Sequence, residues 1–178
     1  TLVGPKKGAT SSIHFSSDGQ LFVAATGTHL RLWNAKSGTV HHNVSDTYHV
    51  SMVRCVANTT YMATLSVDPQ DPAGGRSPHL IKLYDYASKK FVRSWKAGMY
   101  VKKLTISPDG KQIYAGGSTD LASSETKALW TGWLTQTGGK IGSETAPGRF
   151  EDLQVGGKVT QKVFSFAGLG ASVRPSYY

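Results

Sequence analysis

The sequence contains little cysteine, few acidic residues and no long hydrophobic run. Among its 178 residues there is one cysteine, Cys55, so no disulfide can form within the chain and a reducing compartment is the easier fit. No apolar run reaches the roughly 18 residues of a membrane-spanning helix, and the first residues lack the apolar core of a signal peptide. We therefore expect an intracellular protein without membrane contact, in the nucleus, the nucleolus or the cytoplasm.

The shortage of acidic residues gives the chain a basic balance. The sequence has 11 Asp and Glu residues against 20 Lys and Arg residues, for a net charge of +9 at pH 7. This excess of positive charge favours RNA or acidic protein surfaces as neighbours.

Glycine and strand-forming residues are plentiful by comparison. The chain has 20 glycines and 39% hydrophobic residues, and its short apolar stretches are rich in β-branched and aromatic residues. This composition is typical of many short strands joined by tight turns. The length suffices for one domain with a hydrophobic core.

A strand-like string in the middle of the chain has related strings on both sides. Residues 80–86 read Leu-Ile-Lys-Leu-Tyr-Asp-Tyr, residues 30–34 read Leu-Arg-Leu-Trp-Asn, and residues 128–131 read Ala-Leu-Trp-Thr. The three strings recur with a spacing typical of a four-stranded propeller blade, about 45 residues. They predict equivalent positions in successive blades for three aromatic residues, Trp33, Tyr84 and Trp130.

A second marker has the same period. The string Phe-Ser-Ser-Asp-Gly at residues 15–19 returns two repeats later as Ile-Ser-Pro-Asp-Gly at residues 106–110. Both strings follow an apolar stretch and end in Asp-Gly, which favours a tight turn.

The repeat predicts an all-β propeller segment of about three four-stranded blades and a partial fourth. A Pro/Gly-rich insertion at 68–78 and a polar insertion at 118–126 lengthen the second and third blades. One further strand is expected near residues 158–166. The predicted divisions are an N-terminal arm over 1–9, a propeller region over 10–136 with blades at 10–45, 50–98 and 101–136, and a Gly/Ser-rich segment over 137–178 with a partial blade and an irregular tail.

These strings and turns resemble the WD-repeat family over roughly Ser11 to Leu134. The resemblance implies a β-propeller, in which four-stranded antiparallel blades are arranged radially around a channel. Because three blades would leave apolar sheet faces uncovered, we expect a part of a longer propeller or a chain held inside a larger assembly.

The resemblance also implies a network of a His before the first strand of a blade, an Asp in a turn and the Trp of the third strand. Here His49 is placed to fill the first position, and only Tyr84 is followed by an acid, Asp85. No blade contains the complete set, so we expect no intact network.

The sequence shows no catalytic or metal-binding pattern. There is no Gly-x-Ser-x-Gly string, no phosphate-binding loop and no convincing pair of carboxylates. Neighbouring histidines such as His41 and His42 point to opposite faces of a strand, which is poor geometry for zinc. We expect no enzyme activity, no catalytic residues, no metal, no cofactor and no small-molecule substrate.

The most informative functional signal is a run of cations interleaved with aromatic residues. The run suits contact with RNA phosphates or with an acidic partner. The candidates for this contact are Lys82, Lys89, Lys90, Arg93, Lys96, Lys102, Lys103 and Lys111. Because long loops on a rigid scaffold often carry recognition, we add three loop candidates. These are Asp71, Arg76 and His79.

Together these features predict a non-catalytic scaffold that contacts other protein subunits and RNA within a large ribonucleoprotein assembly. The stretch 80–116 is similar to propeller subunits of ribosome-assembly and translation-initiation complexes. The alternative is a structural subunit of a cytoskeletal, ciliary or trafficking complex that binds protein alone.

Overall fold

The computed structural model of the chain describes residues 9–67, 79–119, 127–147, 149–155 and 162–167. All regular elements in these ranges are β-strands, which confirms the predicted all-β fold class. The described segments include no helix long and apolar enough to cross a membrane.

The strands form three antiparallel four-stranded sheets and one hairpin across the described ranges. Sheet 1 contains β1 (Thr10–Phe15), β2 (Leu21–Thr26), β3 (His29–Asn34) and β4 (Val40–Ser45). Sheet 2 contains β5 (His49–Cys55), β6 (Tyr61–Val67), β7 (Leu80–Asp85) and β8 (Lys90–Lys96). Sheet 3 contains β9 (Tyr100–Ile106), β10 (Gln112–Ser118), β11 (Lys127–Leu134) and β12 (Lys140–Pro147). The hairpin contains β13 (Arg149–Val155) and β14 (Lys162–Ala167).

Two of these strands differ from the sequence-based expectation. The third predicted blade ended at residue 136, and the Gly/Ser-rich segment followed it, but β12 extends the third sheet from Lys140 to Pro147. The polar strand forms because it pairs with β11 along its whole length, from Lys127 opposite Pro147 to Trp133 opposite Lys140. The strand β13 was likewise not predicted, whereas β14 lies where a further strand was expected.

The turn between the first and second strands has the same construction in sheets 1 and 3. In sheet 1 the Gly19 amide donates to the Ser16 carbonyl, 2.9 Å away, and the Leu21 amide donates to Ser16 Oγ, 2.8 Å away. Equivalent bonds join Ser107 to Gly110 and to the start of β10. Gly19 and Gly110 have φ angles of 70° and 72°, which side chains disfavour. The repeated Ser-x-Asp-Gly string therefore encodes the turn.

The chain divides into two compact units. The first unit holds sheets 1 and 2, and the second holds sheet 3, the hairpin and His79. In the first unit, one core cluster lies between the two sheets. Its buried members are Val23, Ala25, Leu30, Leu32, Val44, Val50, Val53, Met62 and Tyr84. In the second unit, a smaller cluster joins sheet 3 to the hairpin. Its buried members are Tyr114, Ala128, Trp130, Phe150 and Leu153.

The strand register corrects one predicted equivalence. Trp33 pairs with Phe22, and Tyr84 pairs with Met62; Phe22 and Met62 are each the second residue of the second strand of their sheet. Trp33 and Tyr84 each lie beside a β-bulge in the pairing of the third strand with the fourth. In sheet 3 the residue with this pairing and this bulge is Trp133. The prediction for Trp130 is wrong, because Trp130 lies three residues earlier, on the opposite face of β11.

Candidate interaction surface

The outermost strand of sheet 2, β8, carries most of the predicted cations. It lies at the edge of its sheet, and six of its seven residues are exposed. Lys90, Arg93 and Lys96 are on the strand itself, and Lys89 is in the turn before it, with a φ of 58°. We call Lys89, Lys90, Arg93 and Lys96 the basic edge.

Apolar side chains interrupt the basic edge. Phe91 and Val92 are 38% and 43% exposed. The nearest acid along the chain, Asp85, accepts hydrogen bonds from Thr60 Oγ1 at 2.6 Å and from the Ala87 amide at 3.1 Å. Desolvation raises the pKa of Asp85, but hydrogen bonds from Ser88, Thr60 and the Ala87 amide outweigh it and hold the pKa below its usual value, so the carboxylate serves the turn.

Lys82 does not belong to this surface, although the sequence analysis grouped it there. Its ammonium group forms an ion pair with Asp46, whose side chain is fully buried, and only 13% of the Lys82 side chain is exposed. Ser66 Oγ donates to the other carboxylate oxygen at 3.0 Å. The ammonium also lies 4.9 Å from the centre of the Tyr48 ring, a favourable cation–π position. Lys82 is therefore engaged inside the first unit.

Three further candidates lie in the second unit. Lys102 and Lys103 are on β9, the first strand of sheet 3, where Lys102 is exposed and Lys103 half-buried. Lys111 is exposed in the turn after β9. The predicted run of cations thus divides between the outer edge of one sheet and the first strand of another.

Of the three loop candidates, the structure describes only His79. Asp71 and Arg76 lie outside the described residues. His79 is half-buried before β7, where its Nδ1 accepts a hydrogen bond from the Val101 amide at 3.0 Å. Burial lowers the pKa of His79, and its ring packs edge-on against Tyr100. Its contacts are those of a structural residue.

Catalytic and metal-binding groupings are not apparent in the described part of the chain. No cluster of three or more His, Cys, Asp or Glu side chains capable of holding a metal occurs in those ranges. Burial raises the pKa of the Cys55 thiol to about 12, so the thiol stays protonated and weakly nucleophilic at neutral pH.

Sheet 1 has an apolar face that was not predicted from the sequence. Ile13, Phe15 and Val40 are 57%, 55% and 50% exposed, the highest values for large hydrophobic residues in the described ranges. The signal was the alternation along β1, where Ser12 and His14 point to sheet 2 and bond to its backbone. Ile13 and Phe15 must then point away from sheet 2.

Comparison with known proteins gives the fold. No family model and no curated protein matches the sequence. The solved structure of the RRP9 WD40 repeats matches 93% of this chain with a TM-score of 0.69 at 14% identity, and U3-55K matches equally well. The chain has the fold of a partial WD40 propeller. It spans 47% of each of those two chains.

A WD40 fold does not by itself decide the chemistry. A third similar structure, the hydrazine synthase of Kuenenia stuttgartiensis, has a TM-score of 0.68 at 14% identity over 89% of this chain and 50% of its own. Since an enzyme shares the fold, function must be argued from surfaces and sites. His49, the histidine expected for the family network, is the exposed first residue of β5, and the buried acid of this region, Asp46, is paired with Lys82 and Ser66 instead.

Proposed function

We propose that this WD40 segment is a non-catalytic scaffold within a large ribonucleoprotein assembly, and that the basic edge contacts RNA. The rigid sheets hold other protein subunits, and the outer strand of sheet 2 presents its cations to phosphate groups.

The observation that carries the proposal is the concentration of exposed cations on one edge strand. Lys89, Lys90 and Lys96 make no ion pair with any side chain in the described ranges. A seven-residue strand is about 20 Å long, so its cations can meet several successive phosphates. The ring of Phe91 among them is 38% exposed, and its contacts with Tyr84, edge-on at 5.0 Å between ring centres, and with the Lys82 ammonium group at 5.4 Å hold it in place beside the cations.

A salt titration of binding to a single-stranded RNA tests the proposal. We expect affinity to fall steeply as salt rises, because bound phosphates release counterions. The triple variant Lys89→Glu, Lys90→Glu, Lys96→Glu should bind more weakly and with a shallower salt dependence, by roughly 0.7 in log–log slope for each lost phosphate contact.

A matched control separates the basic edge from net charge. Lys36, Lys127 and Lys140 are exposed on other strands and turns, so the triple variant Lys36→Glu, Lys127→Glu, Lys140→Glu changes the net charge by the same amount. Equal loss of RNA binding in both triple variants, or no binding by the folded wild type at low salt, would refute the RNA contact.

A protein-only scaffold is the second candidate. The exposed Val92 and Phe91 lie on β8, the outer strand of sheet 2 among the described strands, and favour a strand from an acidic protein. Nuclease treatment of the native complex distinguishes the two candidates. Subunits released by digestion indicate RNA, whereas subunits retained indicate direct protein contact.

A further inference from the structure

A histidine of sheet 1 adjoins the strand that carries the basic edge. His42 lies on β4, and its Nε2 atom is 2.9 Å from the hydroxyl oxygen of Tyr84 on β7. The two rings are stacked with their centres 6.3 Å apart. Tyr84 in turn packs edge-on against Phe91 of β8, at 5.0 Å between ring centres. Three aromatic rings therefore connect β4 to β8 within the first unit.

The hydrogen bond to Tyr84 decides which nitrogen of neutral His42 carries the proton. Tyr84 is 2% exposed, and burial, followed by the charge of Asp85, raises the pKa of its hydroxyl. The hydroxyl therefore stays protonated at neutral pH, and Nε2 is its only acceptor among the described residues. The proton of the neutral ring then lies on Nδ1, which has no hydrogen-bond partner in the described ranges. Half-buried His42 thus has an unused N–H donor.

The charges that act on His42 are positive. After burial, the charges of Lys89, in the turn before β8, and of His41, the preceding residue of β4, lower the pKa of its ring. The nearby acids are engaged elsewhere, because Asp85 accepts hydrogen bonds within its own turn and Asp46 is buried in its ion pair. Neither carboxylate bonds to Lys89 or to His42 among the described contacts. An anion is therefore the ligand that this corner suits.

We propose that His42 belongs to the RNA-binding surface, where its Nδ1–H and the Lys89 ammonium group bind one phosphate of the RNA. The inference rests on the proposed function of the basic edge and adds to it a residue from the neighbouring sheet. A phosphate suits the pair because its oxygens accept charge-assisted hydrogen bonds from donors on two sides. Its negative charge also offsets the repulsion between Lys89 and a protonated imidazole.

A phosphate at this position makes RNA binding depend on pH. Burial holds the pKa of His42 in the free chain below the ordinary 6.5. A bound phosphate favours the charged ring, so the pKa rises on binding and the complex takes up a proton. Affinity should be lowest above the pKa of the complex. It should increase as the pH falls towards the pKa of the free chain, by at most about tenfold for each pH unit.

NMR titration of the whole wild-type chain tests the site directly. The imidazole signals are followed between about pH 8 and pH 6, with and without a single-stranded oligouridylate at constant salt. We expect RNA to raise the pKa of His42 more than that of any other histidine. A polyglutamate peptide of the same charge serves as the control for the ligand class. An equal rise with this peptide would assign the site to carboxylates and overturn the proposal.

Variants show whether His42 supplies the pH dependence. His42→Gln keeps a side chain that can bond to the Tyr84 hydroxyl but does not titrate, so its RNA affinity should lose the dependence on pH and keep the contribution of the basic edge. His29→Gln, an exposed position on the adjacent strand, is the matched control and should keep the full dependence.

The outcomes separate this site from the proposed function on which it rests. RNA binding without a rise in the pKa of His42, or an equal pH dependence of affinity in His42→Gln and the wild type, would overturn this inference and leave the basic edge as an RNA contact. A folded wild-type chain that binds no RNA at low salt would instead refute the proposed function, and the phosphate site with it.

Discussion

In the first unit, β5 lies against β1, β2 and β3, and in the second unit, β13 lies in the same way against β9, β10 and β11. The residues at equivalent positions differ in size. Ala25 and Leu30 of sheet 1 correspond to Gly116 and Trp130 of sheet 3. Val50 of β5 corresponds to Phe150 of β13, because each lies beside the β-bulge of its strand.

The difference shows that the same backbone arrangement accommodates side chains of different sizes at corresponding positions. A Cβ atom added to Gly116 would lie 2.3 Å from the Phe150 ring, so the glycine makes room for the larger residue of the facing strand. The first unit instead fills the same space with aliphatic side chains and adds a buried ion pair. Total volume, rather than residue identity, is what the contact requires.

The largest effect is expected from breaking the ion pair that distinguishes the first unit. Lys82→Met leaves the Asp46 carboxylate buried without its partner, and such losses cost about 3–5 kcal/mol. The double variant Lys82→Met, Asp46→Asn should recover much of this loss in urea unfolding. Arg31 has the position in sheet 1 that Lys82 has in sheet 2, and its side chain is half-buried. Arg31→Met should alter the free energy of unfolding far less. An equal loss in both single variants would mean that burial of the pair is unimportant.

A smaller effect is expected from exchanging the packing of the second unit for that of the first. Gly116→Ala should destabilise the contact between sheet 3 and the hairpin by about 1–3 kcal/mol through overpacking. Adding Phe150→Val, which recreates the Ala25 and Val50 combination, should restore hydrogen-exchange protection in β10 and β13. If the double variant is less protected than Gly116→Ala alone, the two units do not share one packing rule.

The strands and turns with local signals were predictable from the sequence, and the long-range pairings were not. The Ser-x-Asp-Gly turn is encoded by residues that bond to one another, and the first three strands of each sheet alternate or are apolar. By contrast, β12 has few apolar residues, because it is an outer strand held by its partner. Trp130 and Trp133 could not be ranked from sequence, since only the pairing with β10 shows which one matches Trp33.

The candidate surface was predictable in part for the same reason. Exposure of Lys89, Lys90 and Lys96 is predictable because lysine side chains are seldom buried without a partner. The burial of Lys82 depends on Asp46, which lies in the connection between β4 and β5. The two residues are 36 positions apart in the chain, so no local pattern links them. The alternation of β1 predicts the apolar face of sheet 1. Only the structure shows that the corresponding face of sheet 2 is buried.

A pH effect should also distinguish the units. Burial lowers the pKa of His14 and of His42 in the first unit, while the corresponding residues of the second unit, Thr105 and Gly142, do not titrate. A histidine with a lowered pKa in the folded state binds protons more readily when unfolded. Stability is therefore full above the ordinary histidine pKa of 6.5 and falls as pH decreases through that value towards the folded pKa.

Hydrogen exchange, corrected for intrinsic rates, measures this pH effect in each unit. Between about pH 7.5 and pH 5.5, β5 should lose protection while β13 changes less. His14→Gln should reduce the loss in β5. The second unit contains one half-buried histidine of its own, His79, whose pKa burial also lowers, so His79→Gln is the matched control. A similar loss in both strands that persists in His79→Gln would contradict the assignment to His14 and His42.

The smallest effect is expected in the reactivity of a single thiol placed at each of two contacts, the one between sheets 1 and 2 and the one between sheet 3 and the hairpin. Cys55 is half-buried against the first core, and Val155 has the same position against the second. Native Cys55 should react slowly with a thiol reagent, because burial raises its pKa to about 12 and four strands support each side of the contact. Val155→Cys in a Cys55→Ser background should react faster, because a two-stranded hairpin is held less firmly than a four-stranded sheet. Slower reaction at position 155 would show instead that the Trp130 and Phe150 packing resists opening better than the aliphatic core of the first unit.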